Sequence, residues 1–352
     1  MKSARIGSAI FFGFAVAAVA AIPYERAVTA PGYGAAREYP GVASVASDGH
    51  DVLLVWHALS RNAIYAARIG ADGSLRDPTG IRIAPLPLRD GGRAETVGPW
   101  VLHAGDAYAI FWNDDGLRSA RLDSDGNVVD PPHLALANAT ISSIATNGAC
   151  LVASYDDGRF AVLDLTGRVL QSDIVVPGVN ASGMTLTSNG NGFLATWPSI
   201  TPVASALNVV VLDAFGHPAG SPRLLDVPLT TPYAQASNGV DYLVVYALRS
   251  GGARYALHLS AAGDALESRL LPVMPTINTD SLAWTGSDYV YTFYGPQGIT
   301  GLRLSAAGSP AGAAPTPLAQ GGGTTGSPPP ADDSCSPGAP RTYTQRSSRR
   351  CR

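Results

Sequence analysis

Two short stretches hold the residues best able to do chemistry. NDDGLRSAR contains Asp114, Asp115 and Arg118, and YDDGRFAV contains Asp156, Asp157 and Arg159. In each, Asp-Asp-Gly stands just ahead of an Arg. Carboxylates accept hydrogen bonds from sugar hydroxyls, and a guanidinium grips a carboxylate in a two-pronged fork. Two tight type I′ hairpins with solvated charges would leave the same letters. RSGGAR, with Arg249 and Arg254, is a fainter echo, and LPLRDGGRAE adds Arg89, Asp90, Arg93 and Glu95. A further acidic stretch, DSDGNVVD, sets oxygen-bearing side chains at Asp123, Asp125, Asn127 and Asp130. Such spacing suits calcium. The same register elsewhere reads ADGSLRD, LTGRVLQ and AAGDALE, so a decorated hairpin turn is the competing reading.

Other catalytic patterns are missing. The chain has no G-x-S-x-G, H-E-x-x-H, phosphate-binding loop or Cys/His zinc spacing. The six histidines, His50, His57, His103, His133, His217 and His258, are scattered in register. No metal or other cofactor is expected. A net charge of -3 argues against a nucleic-acid partner. Lys2 is the only lysine, so Arg fills nearly every basic position and an Arg cluster carries reduced functional weight.

The elements that must position these residues show in a repeat. Gly49, Gly105, Gly148, Gly190, Gly239 and Gly286 each precede an apolar run, and an aromatic follows seven residues later. Those aromatics are Trp56, Trp112, Tyr155, Trp197, Tyr246 and Phe293. A second Gly recurs further on, at Gly73, Gly126, Gly167, Gly216, Gly263 and Gly308. Glycine supplies the positive φ that tight hairpins need. One unit therefore reads strand, turn, strong strand ending in an aromatic, loop, strand, turn, weak strand. Four strands recurring about every 40 to 50 residues are the pattern of propeller blades. Nearly unbroken apolar runs such as YAIFW and YLVVY are expected of strands buried on both faces. The six aromatics are expected to wedge between blades.

The predicted architecture is all-β: a six-bladed β-propeller of four-stranded antiparallel blades over 38–320. Closure is open on the sequence. GSPAGAAPTPLA keeps register but is Pro-rich and a poor strand. Residues 22–37 form a linker or closing strand, with Glu25 to Ala30 able to latch the last blade. Upstream, Lys2 and Arg5 precede an apolar run from Ile6 to Ala21 with Ala18-Val19-Ala20, the form of a cleaved signal peptide at 1–21. Residues 321–352 are rich in Gly, Pro, Ser and Arg with little to bury, and read as a disordered tail. Cys335 and Cys351 in that tail could pair, and Cys150 reads as a buried hydrophobe.

The stretches ASDGHDVLLVW with IYAARIGADGSLRD, and ASNGVDYLVVY with YALHLSAAGDALE, resemble the repeats of bacterial secreted β-propeller proteins. The resemblance runs from Glu38 to Gln320 and implies the fold without implying an activity. Propeller sialidases share the blade count, but their S-x-D-x-G-x-T-W turns are absent here. The expected role is a secreted or surface-exposed, non-catalytic binding module or scaffold for a glycan or protein ligand, acting as a monomer with no transmembrane helix after cleavage. The alternative is an exported polysaccharide hydrolase or lyase using acids such as Asp114 and Asp156.

Overall fold

The computed structural model describes residues 40–320 apart from loop stretches at 59–60, 88–97, 177–178, 180–183, 201–204, 228, 249–251, 274–276, 296–297 and 312–313. The strands of blade 1 are β1 (Pro40–Ser47), β2 (Val52–Ala58), β3 (Ala63–Ile69) and β4 (Ile81–Pro85). Blade 2 has β5 (Trp100–Ala104), β6 (Ala107–Asn113), β7 (Gly116–Leu122) and β8 (Val128–Ala137). Blade 3 has β9 (Ile141–Thr146), β10 (Leu151–Tyr155), β11 (Phe160–Leu163) and β12 (Val169–Ile174). Blade 4 has β13 (Thr185–Ser188), β14 (Phe193–Ile200), β15 (Ser205–Leu212) and β16 (Arg223–Leu225). Blade 5 has β17 (Leu229–Ser237), β18 (Tyr242–Leu248), β19 (Arg254–Leu259) and β20 (Ala265–Leu270). Blade 6 has β21 (Ile277–Trp284), β22 (Tyr289–Gly295), β23 (Gly298–Leu304) and β24 (Thr316–Gln320).

Each blade is a four-stranded antiparallel sheet whose strands pair in chain order. The Pro-rich stretch expected to be a poor strand does form the outer strand of blade 6. There β24 pairs with β23, with Pro317 opposite Thr300. Proline is tolerated because, among the described residues, this strand has a sheet neighbour on one side only. Glu25 to Ala30, the expected latch, lie outside the described residues, as do the signal segment, the linker to residue 37 and the tail.

Both glycine series make turns for identifiable reasons. After the first strand of blades 1, 3, 4 and 5, the pattern is Ser or Thr, then Asp or Asn, then Gly. In blade 5 the Ser237 hydroxyl donates to the Asp241 carbonyl at 2.7 Å and accepts the Gly239 N–H at 3.1 Å. Asn238 Oδ1 accepts the Val240 and Asp241 N–H groups at 2.9 and 2.7 Å. The same four bonds recur around Gly49, Gly148 and Gly190. Side chains thus pair backbone groups that a turn would otherwise leave to water. The later series closes with Gly at positive φ, for example 80° at Gly216, in a loop locked by the Gly216 N–H to Asp213 carbonyl bond of 3.1 Å.

The core lies between blades. Residues three, five and seven places after the first glycine face the preceding blade, and those four and six places after it face the following one. Tyr108, Ile110 and Trp112 of β6 pack on Leu53 and Val55 of β2. Leu151, Ala153 and Tyr155 of β10 pack on Ala109 and Phe111 of β6. Consequently every residue of β6 and of β10 is buried. Outer strands are the reverse: all six residues of β20 are exposed. Side-chain bonds stitch neighbouring blades. Asn147 Nδ2 reaches the Ala214 carbonyl at 2.8 Å, and Asn189 Nδ2 reaches the Val240 carbonyl at 3.0 Å. Cys150 is buried with a free thiol, and that burial pushes its pKa up.

Candidate functional site

A meandering four-stranded blade sends its connections alternately to two faces. Both glycine series, following the first and third strands, emerge on one face. The loop after the second strand and the link to the next blade emerge on the other. Asp114, Asp115, Asp156 and Asp157 follow second strands, so they share this second face. Arg93 and Glu95 belong to the link between β4 and β5 and lie outside the described residues, as do Arg89, Asp90 and Arg249. Asp123, Asp125 and Asn127 follow β7 and therefore lie on the opposite face, and Asp130 stands near that end of β8, paired with Arg121 of β7.

On the loop face of blade 2, Asp114 and Asp115 connect β6 to β7. Asp115 is exposed at the tip with φ 52°, a left-handed conformation that Asp tolerates better than most residues. Gly116 follows at φ 120°, and a Cβ there would stand 2.2 Å from the Leu136 carbonyl oxygen, so only glycine fits. Asp114 is itself buried, and its carboxylate meets Arg118 Nε at 3.1 Å. Arg118 Nε also donates to the Asp114 carbonyl at 3.1 Å. The preceding residue, Asn113, grips the first strand of blade 3. Its Nδ2 donates to the Ile141 carbonyl at 2.8 Å and its Oδ1 accepts the Ile141 N–H at 3.1 Å.

Blade 3 arranges the same residue types differently. Asp156 is exposed, anchored by its N–H to the Thr140 carbonyl at 2.9 Å, and it accepts a short bond from Ser142. Asp157 receives Arg159 through Nε at 2.8 Å and through Nη2 at 2.7 Å. The hydrogen bond from Arg159 holds the Asp157 carboxyl below the usual carboxylate range. Arg159 also pairs with Asp173, which stands at φ 58°, and lies 4.7 Å above the centre of the Tyr155 ring. The result is a guanidinium seated on an aromatic face and flanked by two carboxylates, at the exposed end of the blade.

Asn113, Asp173 and Ser142 were not singled out by the sequence. Asn113 stands directly before Asp-Asp, which was its only signal. Asp173 lies a whole strand away from Arg159, so spacing alone does not connect them. Tyr155, expected as a core wedge, is buried and also carries Arg159.

At the opposite face, Asp123 is occupied by its own turn. Its Oδ1 accepts the Asn127 N–H at 2.7 Å and its Oδ2 accepts Asn127 Nδ2 at 3.0 Å. Asp164 and Asp213 fasten the equivalent turns of blades 3 and 4 in the same way. Among the described residues, no three His, Cys, Asp or Glu side chains gather as a metal set. Nor does any helix among them have the length and apolarity to cross a membrane.

No protein-family model matches this chain, and no curated protein sequence does. Solved structures do resemble it. A chain in a crystal structure of the mitotic checkpoint complex is 13% identical with a TM-score of 0.52, over 91% of this chain and 90% of that one. The Dos1 propeller is 12% identical with a TM-score of 0.47, over 77% and 71%. TolB from Acinetobacter baumannii is 15% identical with a TM-score of 0.44, over 74% and 62%. Likeness at this identity speaks to architecture alone, and the architecture is that of a six-bladed β-propeller built from four-stranded blades.

Proposed function

We propose that this chain is an exported, non-catalytic binding module that presents the loop face of its propeller to a partner, most simply a protein. The observation that carries this reading is the way the loop-face acids are spent. Asp114 is buried against Arg118, and Asp157 is held ionised by Arg159. A glycosidase needs one carboxyl group kept protonated beside a second. Asp114 and Asp157 are committed to their own arginines instead. The hairpin tips still present Asp115, Asp156 and Asp157 to solvent on a rigid scaffold, which suits recognition. The mitotic checkpoint chain, part of a complex, is a precedent for a chain of this architecture meeting a protein ligand. Export rests on the leader at 1–21.

The test is equilibrium binding of the chain from Ile22 onward to the exported proteins and the envelope polysaccharides of its own cell. It is run beside a loop-face variant, Asp115→Asn with Asp156→Asn and Arg159→Gln, and an opposite-face variant, Asp125→Asn. Binding lost in the first variant and kept in the second places the ligand on the loop face. Equal binding by all three removes that face from the reading.

A further inference from the structure

Among the described residues, the outer strand of each blade ends its sheet, and such an edge invites pairing with another chain. Five of the six edges are interrupted. β8 contains Pro131 and Pro132, and β24 contains Pro317. β4 has five residues and ends in Pro85, and β16 has three residues. β12 is kinked at Asp173, where φ is 58°. β20 differs from all of them. It runs for six residues, ALESRL, with neither a proline nor a residue at positive φ, and all six are exposed. Its single register shift falls near its start, at Leu266. Leu266 and Leu270 are 55 and 58% exposed. Ser268, between them, is held in place by a 2.8 Å bond between its hydroxyl and that of Tyr246.

The residue order of β20 is self-complementary. Outward from Ser268 stand Glu267 on one side and Arg269 on the other, then Leu266 and Leu270. The backbone register agrees. The Leu271 N–H donates to the Arg254 carbonyl at 2.8 Å, and Arg269 and Glu267 continue that row opposite Ala256 and His258. These residues turn their N–H and C=O groups toward β19, so Ser268 and Leu270 turn theirs to the open edge. We propose that a second copy of this chain pairs here, β20 against β20, antiparallel about a two-fold axis through Ser268. The backbone of Ser268 bonds that of the partner's Ser268. Glu267 then faces the partner's Arg269, and Arg269 faces the partner's Glu267, at positions where side chains of opposed strands lie closest. Leu266 and Leu270 cover the partner's Leu270 and Leu266. Within one chain Glu267 and Arg269 already pair at 2.5 Å, so both charged ends stand side by side on one face of the strand. Charges on an edge ordinarily repel an arbitrary strand, and in this order they admit a second copy. The contact is the same patch on both chains, so assembly stops at a dimer rather than the monomer expected from the sequence.

The experiment is analytical ultracentrifugation of the chain from Ile22 onward, with reductant present to silence the tail cysteines. A six-residue edge is a small interface, so dimers are expected at about micromolar concentrations and above. Glu267→Arg and Arg269→Glu are each made alone, then together. Both sites are exposed, and circular dichroism checks that every variant folds. Either change alone sets four like charges across the axis and should weaken the dimer about tenfold or more. The double variant swaps the charges and should return to within about threefold of the parent. Mixing the Glu267→Arg chain with the Arg269→Glu chain should give a heterodimer, since each then opposes the other's charge. A parent chain that stays monomeric up to about 0.2 mM overturns the proposal and leaves the edge to an extended peptide of another protein. A dimer indifferent to both single changes, or one that the double variant and the mixture fail to restore, also overturns it.

Discussion

Tyr108 shows how much of the inter-blade energy rests on single polar atoms. It is almost wholly buried, and its hydroxyl reaches the Asp51 carbonyl of the preceding blade at 3.3 Å. Burial first, then the nearby Asp48 charge, push its pKa up to about 12 from an ordinary 10.0. A tyrosine raised in the folded state contributes stability that is intact below its unfolded pKa and is lost as pH climbs through the folded one. Thermal melts should therefore hold steady to about pH 10 and fall between pH 10 and 12. The share due to this residue is about 2 to 3 kcal/mol. Tyr108→Phe should flatten that slope, and an unchanged slope would assign it to Tyr242 and Tyr289, which burial also raises. Asn113 makes a different case. Asn113→Ala would strip the Ile141 N–H and carbonyl of their partner in a buried place, at a cost of about 1–3 kcal/mol in urea unfolding. Asp115→Asn at the exposed tip should stay within about 0.5 kcal/mol. Equal effects would mean that Asn113 is not a latch.

At the scale of elements, the two glycine series do separate jobs on the same face. Gly148 needs glycine for its φ of 84°, yet a Cβ there meets nothing within 4 Å. Gly216, at φ 80°, would put a Cβ 2.7 Å from Val152 Cγ2 and 2.8 Å from Val162 Cγ2 of the neighbouring blade. Gly148→Ala should then cost about 1–2 kcal/mol of conformational strain. Gly216→Ala should cost about 1–3 kcal/mol more by forcing blades 3 and 4 apart. Matching unfolding midpoints for the two variants would refute an inter-blade role for the second series. This contrast also marks what the sequence could convey. The glycines and aromatics recur because each unit folds by the same local rules, so strand order, blade number and turn positions were legible from spacing. The reach of Gly216 onto Val152 was not, since nothing local records which neighbour a turn will meet. The loop-face acids were likewise visible by type. Their commitments to Arg118 and Arg159 depend on which side chains the hairpins bring together, and Asp173 arrives from another strand.

At the scale of the whole molecule, ring closure determines how damage spreads. Trp112 fills the interface between blades 1 and 2, and Trp112→Ala should cost about 3–5 kcal/mol. In an open fan, blade 1 is held by that interface alone, so its amides would exchange far faster than those of blade 4. In a closed ring of six blades, blade 1 remains supported from its other side and opens only with the rest. Hydrogen exchange of Trp112→Ala should therefore show β2 and β14 losing protection together, since local stability follows the supports an element retains. The variant Trp56→Ala with Trp112→Ala removes both supports. It should release blade 1 by itself, with rapid exchange confined to β1 through β4. Selective loss in blade 1 from Trp112→Ala alone would show that blade 6 gives it no support, and the fan would then be the working form of the molecule.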